Sequence, residues 1–370
     1  MAIPASNGAS SAPVRVGVSL SSTGELSRWG GMYEKGLRLW AGDVNARGGI
    51  LGRRVELVTA DDASDPLRAA SVYMEFAGGK ADLLLGPVDN AAAMATLPAL
   101  ELHNVPCVYP MGASDQLWER GGGRAFGVLS PLSDWPGGFF EILSRAGVGS
   151  VAVMAVDHPR AGAILEIAAK WAKRYGLETT ASLPVSSKEL QPALENLKSA
   201  PAGALAVWGS REGCAAAVKA LSRTPWTEKP LYVSSSLALS SVLSIPAKEM
   251  ERWFTAVPWD IKAAAAFPGG GDFTRHFAKD FGHEPDFLAA AAYAGGQVLE
   301  AAAAKAGSLD KDKLRQALSQ LDTLTILGRF GVGPTGMQLR QVPLTIQWQH
   351  GRREIVWPEE LRTAKPSLAR

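Results

Sequence analysis

Short apolar runs alternate with amphipathic stretches along most of the chain. VRVGVSL (Val14 to Leu20) and ADLLLGP are apolar and bounded by polar, glycine or proline residues, which is typical of buried strands. Between such runs lie segments with a helical apolar spacing, such as the one that contains Leu37, Leu39 and Trp40. This alternation predicts an α/β protein whose parallel sheets carry helices on both faces.

The same rhythm restarts in the second third of the chain. The stretch GGGRAFGVLSPLSDWPGG is rich in glycine and turn residues, and it predicts a junction between two domains. A second series of strand-like runs follows, including SVAVMAVD, GALAVWGS and PLYVSSS. The segment QVPLTIQWQHGRREIVWP predicts two strands joined by a turn at His350 and Gly351. A length of 370 residues also suits two domains better than one core.

Ligand sites in doubly wound sheets lie at the carboxyl ends of the strands, where loops lead into helices. That rule selects the loops in which binding residues are expected. They begin near Leu20, Gly86, Tyr109, Val156, Gly209 and Ser234.

Composition and charge exclude some classes of function. Charged residues make up 20% of the chain and the formal net charge is +2, so there is no basic footprint for nucleic acid and no polybasic membrane tract. No apolar run approaches the roughly 20 residues that span a bilayer. The opening MAIPASNGASSAP lacks the basic and apolar regions of a signal peptide, which leaves a cytosolic protein or one whose leader has been removed.

The sequence contains no short motif for catalysis, cofactor binding or metal binding. P-loop, dinucleotide and nucleophile-elbow patterns are missing, and the five histidines form no metal-binding pair. Asp61 and Asp62 end a strand and could act as paired carboxylates, but capping of the following turn and helix is the preferred interpretation. Cys107 and Cys214 lie in no CxxC spacing and are interpreted as small core or surface thiols. Together with the family resemblance given next, the missing motifs predict a protein that is not an enzyme and that holds no cofactor and no metal.

The segment from Thr23 to Pro66 resembles the opening of the branched-chain amino acid binding proteins of ABC importers. It reads TGELSRWGGMYEKGLRLWAGDVNARGGILGRRVELVTADDASDP, with the family's TG loop, aromatic-Gly pair, N-x-x-GGI-x-G turn and DD-x-x-x-P. The segment LLLGPVDNAAAMATLPALELHNVPCVYPMGASDQLW is similar to the family's next strand, loop, helix and strand. GPTGMQLRQVPLTIQWQHGRREIVWP resembles its closing hairpin. The similarity extends from Val14 to Pro358.

This resemblance implies the type I periplasmic binding protein fold, in which two doubly wound parallel-sheet lobes are joined by three crossovers. It places lobe 1 at residues 14–130 and 256–337, lobe 2 at 131–255 and 338–358, and flexible tails at 1–13 and 359–370. The implied function is an extracytoplasmic receptor that closes by a hinge around a small solute in the cleft between the lobes. The implied partners are that solute and a membrane permease, for a monomeric periplasmic protein that binds no nucleic acid.

The resemblance also carries over ligand contacts in lobe 1. The family's aromatic before Gly falls on Trp29, which could instead pack at a helix start. The family's carboxylate-binding serine falls on Asn90, which could also be an N-cap. Asp89 beside it is a departure that could repel a carboxylate or receive an amine. The next loop, which supplies a carbonyl and a hydroxyl in the family, falls on Met111, Gly112 and Ala113.

In lobe 2 the family's two aromatic positions fall near Ala161 and on Arg211, and its acidic position falls on Ser235, beside Ser236. Without the acid, a buried ammonium would lack a charged partner. Arg211 could grip a carboxylate, or it could open a helix in solvent. Leu288 falls on a family contact, with core packing as the alternative.

These departures, with the hydroxyl missing at Ala113, predict a small carboxylate, an aromatic acid or an amide-like solute rather than faithful leucine recognition. An amino acid remains open if Asp89 takes over the ammonium. The alternative function is a ligand-sensing domain of a regulator or receptor with the same fold, similar to an amide sensor. A third reading is an α/β enzyme that uses Asp61 or Asp62.

Overall fold

The structure is a computed structural model of the chain, and it describes residues 12–199, 201–223, 229–234 and 247–368. Contacts divide the chain into two compact units. Unit 1 comprises Met1–Leu132 and Ala263–Val342, and unit 2 comprises Ser133–Lys262 and Pro343–Arg370. The chain therefore passes three times from one unit to the other.

The regular elements alternate along the chain in the order that the apolar pattern predicts. The strands are β1 (Val14–Leu20), β2 (Val55–Asp61), β3 (Leu83–Leu84), β4 (Cys107–Tyr109), β5 (Ala125–Gly127), β6 (Ser150–Val156), β7 (Glu178–Val185), β8 (Leu205–Gly209), β9 (Leu231–Val233), β10 (Trp253–Val257), β11 (Thr323–Thr325), β12 (Gly328–Phe330), β13 (Leu344–Gln349) and β14 (Arg352–Trp357). The helices are α1 (Ser27–Ala46), α2 (Pro66–Glu75), α3 (Asn90–His103), α4 (Asp115–Arg120), α5 (Gly137–Arg145), α6 (Ala161–Arg174), α7 (Leu190–Lys198), α8 (Arg211–Arg223), α9 (Gly270–Phe281), α10 (Phe287–Ala306) and α11 (Lys311–Ser319).

In unit 1, β1 pairs in parallel with β2 on one side and β3 on the other. A parallel bridge between Leu85 and Val108 continues this order to β4, which pairs in parallel with β5. The side chains of β1 are buried along almost the whole strand. Such a strand, apolar on both faces, requires helices on both sides of the sheet. Here α1 packs against α10, and α2 packs against α3.

Glycines set how closely α1 and α10 approach. A Cβ atom added to Gly36 of α1 would lie 2.2 Å from the carbonyl oxygen of Ala289 in α10. A Cβ added to Gly296 of α10 would lie 2.0 Å from the ring of the buried Trp40. Only glycine fits at either position, because real Cβ atoms do not make contacts this short.

Helix α10 corrects one expectation from the sequence. It has 20 residues and is long and apolar enough, by length and composition, to cross a membrane. Within the protein, however, most of the helix is buried. A helix that is apolar all round is explained by a place in the core of a domain.

Unit 2 is built on a seven-stranded sheet with the order β14-β13-β10-β9-β8-β6-β7. The five strands from β10 to β7 are parallel, and the final hairpin of β13 and β14 adds two antiparallel strands. The predicted turn of this hairpin is confirmed: His350 and Gly351 both have positive φ angles. The mostly parallel sheet places the carboxyl ends of β6, β8 and β9 side by side.

The segment after Pro358, which we expected to be a flexible tail, is hydrogen-bonded to this hairpin. Gln347 of β13 is fully buried, and its Nε2 donates to the carbonyl oxygen of Ser367 at 2.7 Å. The backbone N–H of Ser367 donates back to Gln347 Oε1 at 2.8 Å. Nearer the hairpin, the N–H of Thr363 donates to the carbonyl oxygen of Ile355 at 2.8 Å.

Candidate functional site

The loop that follows β1 is built around the buried carboxylate of Asp62, which is 1% exposed. The hydroxyls of Ser19 and Ser21 donate to it at 2.7 and 2.8 Å, and the backbone N–H of Ser64 donates at 2.9 Å. Both carboxylate oxygens therefore already accept hydrogen bonds from the protein. Asp62 fixes the end of β1 relative to the turn after β2.

Asp61 holds the same loop from the solvent side. It accepts hydrogen bonds from the hydroxyl of Thr23 at 2.7 Å and from the backbone N–H groups of Ser22 and Ala63 at 3.0 and 2.9 Å. The hydrogen bond from the Thr23 hydroxyl is the main cause that lowers the pKa of Asp61. A carboxylate with a lowered pKa is a weak base, so this environment favours the capping interpretation over paired-carboxylate catalysis. The helix cap itself is Asp65, which accepts from the N–H of Leu67.

The lowered pKa of Asp61 predicts a dependence of stability on pH. A carboxyl group with a lower pKa in the folded than in the unfolded chain stabilises the fold above its unfolded pKa, and this contribution is lost as pH falls through the folded pKa. Asp61→Asn should therefore lower the free energy of unfolding at neutral pH, and its difference from the parent protein should shrink below about pH 4. Urea unfolding at a series of pH values measures this difference.

Asp280 supplies the control, because its side chain is exposed and makes no hydrogen bond or ion pair with the described residues. Asp280→Asn should change stability little at any of these pH values. The free energy of unfolding of Asp61→Asn could instead differ from that of the parent protein by the same amount down to strongly acidic pH. In that case the charge of the Asp61 carboxylate would not be the stabilising feature.

At the end of β3, the N-terminus of α3 is capped by Asp89 and not by Asn90. One carboxylate oxygen of Asp89, Oδ2, accepts from the backbone N–H groups of Ala91 and Ala92 at 2.7 and 3.1 Å. These amides are the donors that a helix start would otherwise offer to an anion. The other oxygen, Oδ1, accepts no hydrogen bond from the described residues.

Asn90 instead joins the loop after β3 to the loop after β4. Its Oδ1 accepts from the backbone N–H groups of Ala113 and Ser114, both at 3.0 Å. Within the described part of the chain its Nδ2 has no acceptor, and the hydroxyl of Ser114 does not cap α4. The edge of unit 1 thus presents a carboxylate oxygen, an amide NH2 and a hydroxyl close together.

Buried tyrosines fix the loop that leads to α3. The hydroxyl of Tyr33 donates to the carbonyl oxygen of Gly86 at 2.7 Å, and the hydroxyl of Tyr73 donates to that of Leu85. Burial raises the pKa of both tyrosines, so both remain protonated donors. The polar groups of the loop are therefore held in place before any ligand arrives.

The other predicted ligand contacts of unit 1 differ from one another in their exposure to solvent. Trp29 is half-exposed in the first turn of α1, and Gly30 after it allows close approach, because its Cβ would lie 2.2 Å from the carbonyl oxygen of Ser21. Leu288 is 1% exposed near the start of α10, which suits core packing. Met111 is half-buried and Gly112 is buried. No hydrogen bond between described residues joins these four positions to Asn90.

In unit 2 the structure describes only some of the residues that were predicted to contact the ligand. Ala161 begins α6, and its N–H donates to the carbonyl oxygen of His158 at 3.1 Å. Burial, and secondly the charge of Arg160, lower the pKa of His158. Arg211 begins α8, but its side chain is outside the description. Ser235 and Ser236 lie outside the described residues.

Three residues at the carboxyl ends of β8 and β9 were not predicted as ligand contacts, although the loops that begin near Gly209 and Ser234 were selected. Trp208 is half-buried, and its ring centroid lies 5.3 Å from that of the buried Tyr232. Ser210 follows β8 and accepts from the N–H of Gly213 at 2.9 Å, which caps α8. Ser234 follows β9, with its hydroxyl 3.1 Å from the sulfur of Cys214. The signal in the sequence was the Trp-Gly-Ser that ends GALAVWGS.

Over residues 13–351 the sequence matches the model of a family described as periplasmic binding protein. The chain belongs to this family. The periplasmic binding protein is 23% identical over 356 residues to the Leu/Ile/Val-binding protein homolog 2 of Brucella abortus (strain 2308), which covers 95% of this chain and 94% of that protein. The resemblance to the branched-chain amino acid binding proteins is confirmed.

Solved structures show the same fold for this periplasmic binding protein. It superposes on the leucine binding protein LivK from Thermotoga maritima with a TM-score of 0.77 and 19% identity, over 92% of this chain and 97% of that one. A solute binding protein from R. palustris in complex with benzoate gives a TM-score of 0.74 and 18% identity, over 97% of this chain and 98% of that one. The predicted type I periplasmic binding protein fold is confirmed.

Proposed function

We propose that this protein is the extracytoplasmic receptor of an ABC importer, and that it captures a small carboxylate, amino acid or aromatic acid and delivers it to a membrane permease. The observation that carries the proposal is the match to periplasmic binding proteins over residues 13–351. Hinge closure, a periplasmic location and a monomeric state are parts of the same proposal. Binding rather than catalysis is supported by Asp61 and Asp62, whose carboxylates are engaged in holding a loop.

In this proposal the ligand is recognised by side chains in unit 1. The backbone N–H groups of Ala91, Ala92 and Ala113 already have acceptors, so a ligand carboxylate would rely on other donors. We assign that role to the Nδ2 of Asn90 and the hydroxyl of Ser114. Oδ1 of Asp89 would accept from a ligand amine, where one is present.

For unit 2 we propose that Trp208 supplies an apolar wall, because it is half-exposed at the end of β8 and backed by Tyr232. A site with an apolar wall and a few fixed polar groups is typical of small-molecule recognition. The other residues carried over from the resemblance stay proposed contacts. They are Trp29, Met111, Gly112, Ala161, Arg211, Ser235, Ser236 and Leu288.

Isothermal titration calorimetry of the purified protein with leucine, benzoate and acetamide tests the function. We expect saturable binding of at least one compound, together with a rise in melting temperature. Native mass spectrometry of the protein as purified would identify a retained solute. Conversion of the bound compound into a product, seen by mass spectrometry after long incubation, would contradict a transport receptor.

Asp89→Ser separates an amino acid from an aromatic acid as the ligand. Serine is as good an N-cap as aspartate, so the helix start is preserved while the negative charge is removed. If the ligand carries an ammonium held by Asp89, its affinity should fall roughly tenfold, the loss expected for one charged hydrogen bond. The affinity of an acid without an amine should stay the same or rise. Calorimetry with leucine and benzoate measures both.

Asp310→Ser is the matched control, because Asp310 caps α11 with the same two-amide geometry and lies outside the proposed site. It should change neither affinity. Equal losses of leucine affinity in both variants would show that capping, and not the charge of Asp89, was responsible.

A further inference from the structure

Unit 1 contains a cavity of about 330 Å³ that the proposed function does not use. Its lining includes Arg15 at the start of β1, Leu83 at the start of β3, and Pro106 just before β4. The cavity therefore lies at the amino ends of the strands. The loops of the proposed solute site lie at the opposite end of a seven-residue strand, about 20 Å away at the rise of a β-strand.

The inner wall of the cavity is apolar and belongs to the core. It is formed by side chains that are no more than 3% exposed: Phe76, Leu84, Leu299, Leu314 and Leu318. The volume is at the small end of the range for small-molecule sites. At the ~30 Å³ that a water molecule occupies in the liquid, it corresponds to about ten non-hydrogen atoms.

The backbone after α2 keeps this space open. A π-helical turn at Phe76–Lys80 contains Gly78 and Gly79. The nearest atom to a Cβ on Gly78 would be the ring of His103, at 3.7 Å, so a longer side chain here would enter the space beside that ring. Gly79 has φ of 117°, which disfavours any other residue.

The polar groups at the rim carry an uncompensated positive charge. Asp82 is neutralised by Arg15, whose backbone N–H and Nη2 donate to it at 2.8 and 2.9 Å. Lys311 donates to the backbone carbonyl oxygen of His103 at 3.1 Å and has no acidic partner among the described residues. The imidazole of His103 makes no hydrogen bond with the described residues. An apolar wall with an unpaired cation at its mouth is complementary to an amphipathic anion.

We propose that this cavity is a second binding site, for a small carboxylic acid with a hydrocarbon tail. The tail fills the space between α10, α11 and the π-helical turn. The carboxylate lies at the rim, where the ammonium of Lys311 and the ring of His103 donate to it. A ligand here contacts α10, which also packs on α1, without touching the loops of the proposed solute site.

Octanoate tests this site, since its ten non-hydrogen atoms fit the estimated size. Titration into methyl-labelled protein, followed by NMR, should give saturable shifts of the methyl groups of Leu299 and Leu314 and no shift at Val88, which lies beside the solute loops. 1-Octanol, which has the same tail without the charge, should bind more weakly. Lack of saturable shifts, or shifts at Val88 alone, would overturn the proposal.

Lys311→Gln and Lys313→Gln form a matched pair on α11, because Lys313 is exposed and does not line the cavity. Lys311→Gln should weaken octanoate binding roughly fivefold, the upper end for charges near solvent, and leave 1-octanol unchanged. Lys313→Gln should change neither. Equal effects of the two variants would exclude Lys311 as the anion partner. Gly78→Leu should abolish octanoate binding while thermal unfolding shows an intact fold, and undiminished binding in this variant would place the ligand elsewhere.

Discussion

Gly36→Ala should lower the free energy of unfolding of unit 1 by about 3 kcal/mol, the upper range for overpacking a core. The new Cβ would lie 2.2 Å from the carbonyl oxygen and 2.8 Å from the carbonyl carbon and Cα of Ala289. These are backbone atoms of α10, which cannot rotate away as a side chain can. The two helices must therefore separate, which loosens the packing of Tyr33 and Trp40, both fully buried in α1.

Gly42→Ala on the same helix is the control, since no atom lies within 4 Å of the Cβ it would add. Alanine is the better helix former, so this variant should gain about 0.5–1 kcal/mol. Urea and thermal unfolding of both variants measure the contrast. A Gly36→Ala protein as stable as the Gly42→Ala protein would mean that α1 and α10 are not in this close contact.

Asp62→Ala should cost about 3 kcal/mol or more, because it leaves buried donors without an acceptor. The hydroxyls of Ser19 and Ser21 are 0% and 2% exposed, and both donate to this carboxylate. Neither can turn to bulk water once the carboxylate is gone. The N–H of Ser64 loses its acceptor as well.

Two further variants should lose less stability than Asp62→Ala. Asp62→Asn keeps one acceptor oxygen, so its loss should be smaller than that of Asp62→Ala. Asp65→Ala removes the N-cap of α2 and should cost about 1 kcal/mol. Chemical denaturation of the three proteins gives the order directly. An Asp62→Ala protein no less stable than Asp65→Ala would contradict a buried network around Asp62.

The elements with strong local signals could be predicted from the sequence. The run VRVGVSL became β1 residue for residue, and the last hairpin turns at the predicted place. Helix α5 was missed because it begins at Gly137 and Gly138, which are poor helix formers. Tertiary packing explains the second glycine: a Cβ there would lie 2.2 Å from the hydroxyl oxygen of Thr345. Contacts over such sequence distances leave no local pattern.

The same limit applies to the candidate site. Asp89 and Asn90 are adjacent and both are good N-caps, so the sequence could not decide which one caps α3. Asn90 does not cap the helix because its side chain accepts hydrogen bonds from the backbone N–H groups of Ala113 and Ser114. These two residues lie 23 and 24 positions further along the chain. Trp208 was overlooked because the resemblance pointed to Arg211 in the following helix.

The hydrogen bonds between Gln347 and Ser367 bear on when unit 2 can be completed during synthesis of the chain. The parallel strands of unit 2 lie between Ser150 and Val257, but β13, β14 and the anchoring Ser367 follow the second segment of unit 1. During synthesis, the parallel strands of unit 2 stay without β13 and β14 until residues Ala263–Val342 of unit 1 have been made. Unit 2 is therefore completed only after β13 and β14 have been made. Loss of Ser367 would remove one of the two acceptors of the Gln347 Nε2, which would keep the carbonyl oxygen of Arg252.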